Sequence, residues 1–145
     1  MYLVDTNVLS ERRKGRSADP GVVEFFRRTK NEIFVPVQVA GEIEAGIERL
    51  RQRGDHPQAR ILEKWYRSML AEIADHFLVF DLDCAEVWGT LIGANEQNKI
   101  DKQIAAIALM HDLTVVTRNG AHFSGTGART LNPFFADRSS RPPAN

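Results

Sequence analysis

Four side chains that could bind a cation or handle a proton stand where predicted strands end or helices begin: Asp5, Glu42, Asp101 and Asn119. Strands buried on both faces deliver their last residues to the carboxyl edge of a sheet, where open α/β folds place ligands. Three carboxylates gathered there repel one another unless a cation joins them. All-oxygen ligands suit Mg²⁺ or Mn²⁺, which bind phosphates and activate water. The residues therefore predict metal-assisted hydrolysis of a phosphodiester.

Each of the three carboxylates also has a structural interpretation. Asp5 suits the N-cap of a following helix, as Thr6 and Asn7 do. Asp101 stands at or beside the start of another helix and is suited to cap it. Glu42 falls on the flank of a helix, where a charge paired with an arginine is the commoner arrangement. Taken alone, the capping role of Asp5 is favoured, so its functional role depends on the other carboxylates reaching the same edge.

Strands and helices alternate along the chain. Apolar runs predict five strands, the last of them at an edge: 1–4, 33–35, 77–80, 113–117 and 128–131. Apolar residues at helical spacing fill the intervals between them, and the helix near 99–110 is apolar nearly all round. This order predicts an α/β fold in which a mostly parallel sheet carries helices on both faces.

Three further positions give structural expectations. Gly41 and Gly46 fall inside the helix after the second strand, where each costs about 1 kcal/mol relative to Ala. Close approach of another backbone would account for that cost. Asp83 is the expected N-cap of the helix that carries Cys84, and Cys84 lies on the buried stripe of that helix as a core residue.

Composition excludes several classes of protein. With one cysteine, the chain has neither an intramolecular disulfide nor a cysteine-based zinc cluster, so a reducing cytoplasm is the simplest location. The formal net charge is zero, so a nucleic-acid partner would depend on a local patch rather than on an overall positive field. No leader segment and no membrane-spanning run is predicted.

The motifs occur in an order that resembles PIN domains. They are the opening MYLVDTNVLSE, VAGEI at 39–43, IDKQIAAIA at 100–108, LTVVTRN at 113–119 and the ending LNPF at 131–134. The resemblance is closest to toxin ribonucleases of the VapC type, including FitB-like proteins, which belong to type II toxin–antitoxin pairs. It covers nearly the whole chain, from residue 1 to about residue 134.

The resemblance implies a three-layer α/β/α sandwich formed by one PIN-like nuclease domain at 1–135, and residues 136–145 are expected to be a disordered tail. It also implies a toxin with Mg²⁺-dependent endoribonuclease activity, Mn²⁺ being a substitute. The expected partners are the RNA substrate, a second copy of the chain in a homodimer, and a small VapB-like antitoxin that blocks the site. DNA would be contacted only through the antitoxin, and no membrane is involved.

Residue by residue, Asp5, Glu42 and Asp101 match the acidic positions of the family, and Asn119 matches the fourth, which is often an aspartate. Asp5 and Asp101 are the expected metal ligands. Arg12, Arg13 and Arg118 are candidate contacts to the RNA backbone, although solvated arginines are equally common at such places. Lys102 stands where a small polar residue is frequent, and the sequence offers no account of it.

Two alternatives remain. A phosphatase using Asp5 as nucleophile would require a second aspartate two residues later, and Asn7 stands there. A non-catalytic RNA-binding or regulatory PIN-like module would keep the fold without the reaction. Three acidic residues argue against that module, because a surface that binds phosphates gains nothing from clustered negative charge.

Overall fold

The sheet is built outward from the first strand of the chain. In the computed structural model, which describes residues 1–139, five parallel strands lie in the order β3-β2-β1-β4-β5. Their bounds are Tyr2–Val4 for β1, Ile33–Pro36 for β2, Phe77–Leu78 for β3, Thr114–Val116 for β4 and Thr130–Leu131 for β5. The carboxyl end of β1 therefore lies at the middle of the sheet, between those of β2 and β4.

Seven α-helices connect and follow these strands in the described part of the chain. Their bounds are Thr6–Arg12 for α1, Pro20–Arg28 for α2, Val37–Gln52 for α3, His56–Ile73 for α4, Leu82–Ala94 for α5, Lys99–His111 for α6 and Phe135–Ser139 for α7. Asp19 caps α2 ahead of Pro20, since its carboxylate accepts from the N–H of Gly21 at 2.8 Å. Three short 3₁₀ turns are found at Gly15–Ser17, Ala74–His76 and Gly120–Phe123.

Side chains that alternate along the central strands divide the core into two layers. Val4 and Val116 pack with Val8, Val39 and Met69 against the helices α1 to α4. Leu3 and Val115, one residue earlier on the same two strands, instead join Cys84 and residues 104–108 of α5 and α6. Because helices cover both faces of a parallel sheet, the predicted three-layer α/β/α fold is confirmed, as is the core position of Cys84.

Several element boundaries differ from the sequence-based ones. β3 ends at Leu78, two residues before the predicted end. The helix α5 begins at Leu82, and its N-cap is Asp81. The Asp81 carboxylate accepts from the N–H of Cys84 at 2.9 Å, and the expectation that Asp83 is the cap is wrong. The tail predicted from residue 136 begins inside α7, and residues 140–145 lie outside the described residues.

The structure accounts for Lys102. Its side chain is only 5% exposed, and its ammonium donates to the backbone carbonyl and to the side-chain oxygen of Asn95. Asn95 is the C-cap of α5, where unpaired carbonyls and the helix dipole favour a cation. Lys102 thus joins the start of α6 to the end of α5.

Among residues 1–139, none of the helices combines the length and the apolar character that a bilayer span requires.

Candidate active site at the carboxyl edge of the sheet

Asp5 is a buried carboxylate that follows the central strand β1 directly. The residue is 4% exposed, and its N–H continues the sheet ladder to the carbonyl of Val116 at 3.0 Å. Its Oδ1 accepts from the N–H of Thr6 at 2.8 Å, which makes Asp5 the N-cap of α1. The capping interpretation is therefore correct for Asp5, and it fixes the carboxylate at the edge of the sheet.

The second oxygen of Asp5 is held from the neighbouring strand. Thr117, fully buried just after β4, donates its hydroxyl to Oδ2 of Asp5 at 2.8 Å. Asn7 donates to the same Oδ2 at 3.4 Å and to Oγ1 of Thr117 at 3.3 Å, while its own Oδ1 accepts from the N–H of Arg118 at 3.0 Å. Asn7 and Thr117 thus bind the ends of β1 and β4 together and orient the Asp5 carboxylate.

The electrostatics of Asp5 and Glu42 show that three carboxylates share this edge. Burial raises the pKa of Asp5, hydrogen bonds from Thr117 and Thr6 oppose the rise, and the negative charge of Asp101 adds to it. Glu42 lies on α3 with much of the residue exposed, but its carboxyl is partly desolvated. That desolvation raises the pKa of Glu42, and the charges of Asp5 and Asp101 raise it further. The structure therefore places the three acids that the sequence singled out within electrostatic range of one another.

Asp101 reaches the same edge from the first turn of α6, as the third residue of that helix rather than as its N-cap, which is Asn98. Its Oδ2 lies 2.9 Å from Nδ1 of His122, a partly exposed side chain in the 3₁₀ turn after β4. Positive charge on His122 would lower the pKa of Asp5, so the imidazole interacts electrostatically with Asp5 as well as contacting Asp101. His122 is a member of the site that the sequence did not indicate.

Asn119 contributes to the site through its backbone. Its N–H donates to Oγ1 of Thr117 at 3.1 Å, and its carbonyl accepts from the N–H of His122 at 3.0 Å. The residue is exposed and starts the 3₁₀ turn that places His122 against Asp101. The contacts in the described residues thus assign Asn119 a role in shaping this turn, and its role as a metal ligand stays a prediction.

The donor chemistry fits a hard divalent cation. The charge of Asp101 raises the pKa of Asp5, the charges of both raise the pKa of Glu42, and a cation would relieve that repulsion. Within residues 1–139, no group of three His, Cys, Asp or Glu side chains lies close enough to hold an ion unaided. Mg²⁺ commonly keeps several water ligands and uses one or two carboxylates, so the pair Asp5 and Asp101 suits it.

The three arginines proposed as RNA contacts all have partners within the chain. Arg12 pairs with Glu72 at 3.0 Å. Arg118 pairs with Asp137 at 2.9 Å, and its guanidinium lies 4.5 Å from the centre of the Phe134 ring. The guanidinium of Arg13 lies 5.9 Å from the centre of the Trp65 ring. The contact of these arginines with RNA stays a prediction.

Comparison with known proteins identifies the family. The PIN domain family model matches residues 2–127. The chain is 30% identical to plasmid stability protein StbB of Pseudomonas syringae pv. tomato, an alignment that spans 94% of this chain and all of that protein. It is 26% identical to toxin FitB of Neisseria gonorrhoeae, covering 92% of this chain and 99% of FitB.

Two further comparisons agree with the match to the PIN domain family. VapC ribonuclease Y4jK of Sinorhizobium fredii is 25% identical over 92% of this chain and 98% of its own length. The crystal structure of FitAcB from Neisseria gonorrhoeae superposes with a TM-score of 0.77 at 26% identity, covering 92% of this chain and 98% of that one. The resemblance in the order of the motifs is confirmed. Because the PIN model spans more than half of the sequence, and a relative of 30% identity aligns along its whole length, the chain belongs to the PIN domain family.

Proposed function

We propose that this PIN domain is the toxin of a type II toxin–antitoxin pair and acts as a Mg²⁺-dependent endoribonuclease. The observation that carries the proposal is the electrostatic coupling of Asp5, Glu42 and Asp101 at one edge of the sheet. Relatives that align over nearly the whole chain and are named toxin FitB and VapC ribonuclease support the same activity.

Asp5 and Asp101 would hold the ion, and Mg²⁺, when bound, lowers the pKa of a water molecule and offsets charge on the scissile phosphate. Thr117 and Thr6 keep the Asp5 carboxylate in one orientation through hydrogen bonds of 2.8 Å each. Glu42 is the group suited to accept a proton from the attacking water, because its raised pKa lies closer to neutral pH than that of an ordinary glutamate. His122 orients Asp101.

The partners of the proposed toxin are those that the resemblance implies. A small antitoxin would block the site, the toxin would form a homodimer, and DNA would be reached only through the antitoxin. The proposed location is the cytoplasm, where the RNA substrate is found. The single, buried cysteine agrees with that compartment.

Cleavage mapped in cells tests the proposal directly. Brief expression of the wild-type chain should create new 5′ ends in total RNA at defined positions, and Asp5→Asn should create none while keeping its fold. Asp83→Asn is the matched control, because Asp83 is an exposed carboxylate in the first turn of α5. This variant should cleave RNA as the wild type does. Cleavage by Asp5→Asn, or unchanged cleavage by purified protein in EDTA, would refute the mechanism.

The alternative is a non-catalytic PIN-like module that binds RNA or regulates another protein. The described side chains offer no preformed set of three ligands, and this observation is the one that favours it. Titration with Mn²⁺ separates the two functions, because a catalytic site should bind the ion and lose it in Asp5→Asn. A wild-type protein that neither binds Mn²⁺ nor cleaves RNA would support the alternative.

A further inference from the structure

A groove of about 500 Å³ runs along α3 beside Glu42, and we call it the α3 groove. Its other walls are formed by Thr6, Gln38, Gly41, Ala45, Arg49 and Ile100. The residues that α3 contributes recur every three or four positions, so they form one face of the helix. The volume is within the range of pockets that hold small ligands. Because Glu42 belongs both to the α3 groove and to the candidate active site, the groove opens directly onto that site.

Two buried oxygens in the walls of this groove have no hydrogen-bond partner. Oε1 of Gln38 is one, although the same amide donates through Nε2 to Gln103 at 3.2 Å. Oγ1 of Thr6 is the other by strict geometry, but it lies close enough to the Glu42 carboxyl for that contact to lower the pKa of Glu42. A buried acceptor left unpaired costs about 1–3 kcal/mol, so Oε1 of Gln38 indicates a ligand that supplies an N–H or O–H group.

Gly41 is an independent indication that the α3 groove holds a ligand. A glycine inside a helix costs about 1 kcal/mol relative to alanine, and the sequence suggested that a neighbouring backbone requires it. The structure contradicts that explanation, since a Cβ on Gly41 would meet no heavy atom within 4 Å, and one on Gly46 would meet only the side chain of Leu62 at 3.9 Å. Packing does not require glycine at 41, and its effect is to keep the α3 groove open next to Glu42.

The chemistry of the walls matches one nucleotide. Gln38 and Thr6 place polar atoms at one end, and Arg49 supplies a cation three helical turns along α3. Ile100 offers an apolar surface that is 47% exposed. A nucleobase has a polar edge and an apolar face, and a phosphate lies beyond its sugar. An acceptor oxygen such as that of Gln38 favours a base with an amino group, namely adenine, cytosine or guanine, over uracil.

We infer that the α3 groove binds the base of one unpaired RNA nucleotide next to the scissile phosphate and thereby selects the cleavage sequence. Gln38 reads the polar edge of the base, Ile100 contacts its face, and Arg49 pairs with a neighbouring phosphate. The inference rests on the proposed ribonuclease function and adds the position at which sequence is read. Single-stranded RNA suits this arrangement, because its unstacked bases are free to enter a side pocket.

Cleavage mapping with two groove variants tests the inference. Gln38→Leu removes the amide at similar size, and Gly41→Leu fills the groove while favouring the helix. Gln38→Leu should lower the base preference at one position beside the cut by about 10-fold, with cleavage retained. Gly41→Leu should lower kcat/KM by about 10-fold or more on an oligonucleotide that carries a base at this position beside the cut. The decrease should be much smaller on an oligonucleotide that is abasic at the same position.

Matched controls separate the groove from folding. Gln52→Leu changes an exposed glutamine of α3 outside the groove, and Gly89→Leu changes a glycine of α5 that also has open space around it. Both should keep the wild-type base preference and kcat/KM, and melting temperatures report folding for all four variants. If either groove variant does not fold, the other decides the result.

The outcomes distinguish the two proposals. A wild-type protein that cleaves no RNA, or an Asp5→Asn variant that still cleaves it, contradicts the proposed function. If the wild type cleaves and Asp5→Asn does not, but Gln38→Leu and Gly41→Leu keep both the base preference and kcat/KM, the inference about the groove is wrong.

Discussion

At the scale of single residues, Asp5 is a helix cap whose carboxylate also lies beside the other acids of the candidate site. Its Oδ1 caps α1 through the N–H of Thr6, and its Oδ2 is held by Thr117. The cap stabilises the helix, whereas burial close to Asp101 and Glu42 makes the negative charge unfavourable. A site whose charge opposes folding is typical of residues retained for chemistry rather than for stability.

Asp5→Asn should therefore stabilise the metal-free protein at pH 7, by about 1 kcal/mol. The folded-state pKa of Asp5 is raised, so the folded protein binds the proton more tightly than the unfolded chain does. Stability consequently falls as pH rises from the unfolded pKa to the raised folded pKa. Urea denaturation in EDTA measures the difference in the free energy of unfolding between wild type and variant. This difference should shrink below about pH 4, where the carboxylate is protonated in the unfolded chain as well. A less stable variant at pH 7 would contradict the expectation.

His122 should matter for metal binding through its contact with Asp101 at 2.9 Å. Loss of a hydrogen-bond partner of a metal-ligating carboxylate typically lowers affinity about 10- to 100-fold. His122→Ala should lower the affinity for Mn²⁺ by such a factor, measured by titration calorimetry, and His122→Asn, which keeps a donor, should restore part of it. His111→Ala is the control, because His111 is exposed at the far end of α6. Equal affinities in all four proteins would show that His122 has no part in the site.

The sequence predicted the acids of the site more fully than it predicted what surrounds them. Asp5, Glu42 and Asp101 could be found because strand ends and helix starts are visible as changes in hydrophobic period. His122 could not, because it depends on a 3₁₀ turn whose path follows from hydrogen bonds between Thr117, Asn119 and His122. Thr117 was visible at the end of a strand, but its contact spans 112 positions in the chain.

At the scale of elements, the alternation of strands and helices was sufficient to predict a parallel sheet covered on both faces. The strand boundaries could not be predicted in the same way. The apolar run 77–80 continues past the last paired residue of β3, and a strand ends where its pairing with the neighbouring strand ends. The polar composition after residue 135 concealed α7, a helix whose first backbone N–H groups bind a carboxylate from the other end of the domain.

That carboxylate is Asp19, which caps two helices at once. It accepts from the N–H of Gly21 in α2 and from those of Phe135 and Ala136 in α7, at 2.8 to 3.1 Å. Burial opposes its ionisation, but these backbone hydrogen bonds together lower the pKa of Asp19. A lowered pKa means that the stabilisation is present above the unfolded pKa and is lost as pH falls through the folded one.

Asp19→Ala should consequently destabilise the domain by about 1–2 kcal/mol and release α7. Urea denaturation measures the first effect, and faster hydrogen exchange at residues 135–139 measures the second. Asp75→Ala is the control, as an exposed carboxylate in the turn before β3. Unchanged exchange in Asp19→Ala would show that α7 is held by other contacts.

At the scale of the whole molecule, charge limits how the proposed RNA substrate would be bound. The formal net charge is zero, and five arginines each lie within 3.0 Å of a carboxylate, namely Arg12, Arg27, Arg51, Arg118 and Arg129. An arginine that is already paired gains less from a phosphate, since it must first give up its carboxylate. Recognition is then expected to depend on few phosphate contacts and more on contacts with the bases.

The salt dependence of binding should therefore be shallow. Each phosphate contact to a single strand adds about −0.7 to the slope of log K against log salt, so two or three contacts give a slope between about −1.4 and −2.1. Affinity of the inactive Asp5→Asn protein for a single-stranded oligonucleotide, measured by fluorescence anisotropy, should fall only about 7- to 18-fold between 50 and 200 mM KCl. Glu72→Gln removes the partner of Arg12 and should steepen the slope by about 0.7 if that arginine then reaches a phosphate. A slope of about −4 or steeper in the unmodified background would mean about six or more phosphate contacts and would contradict this expectation.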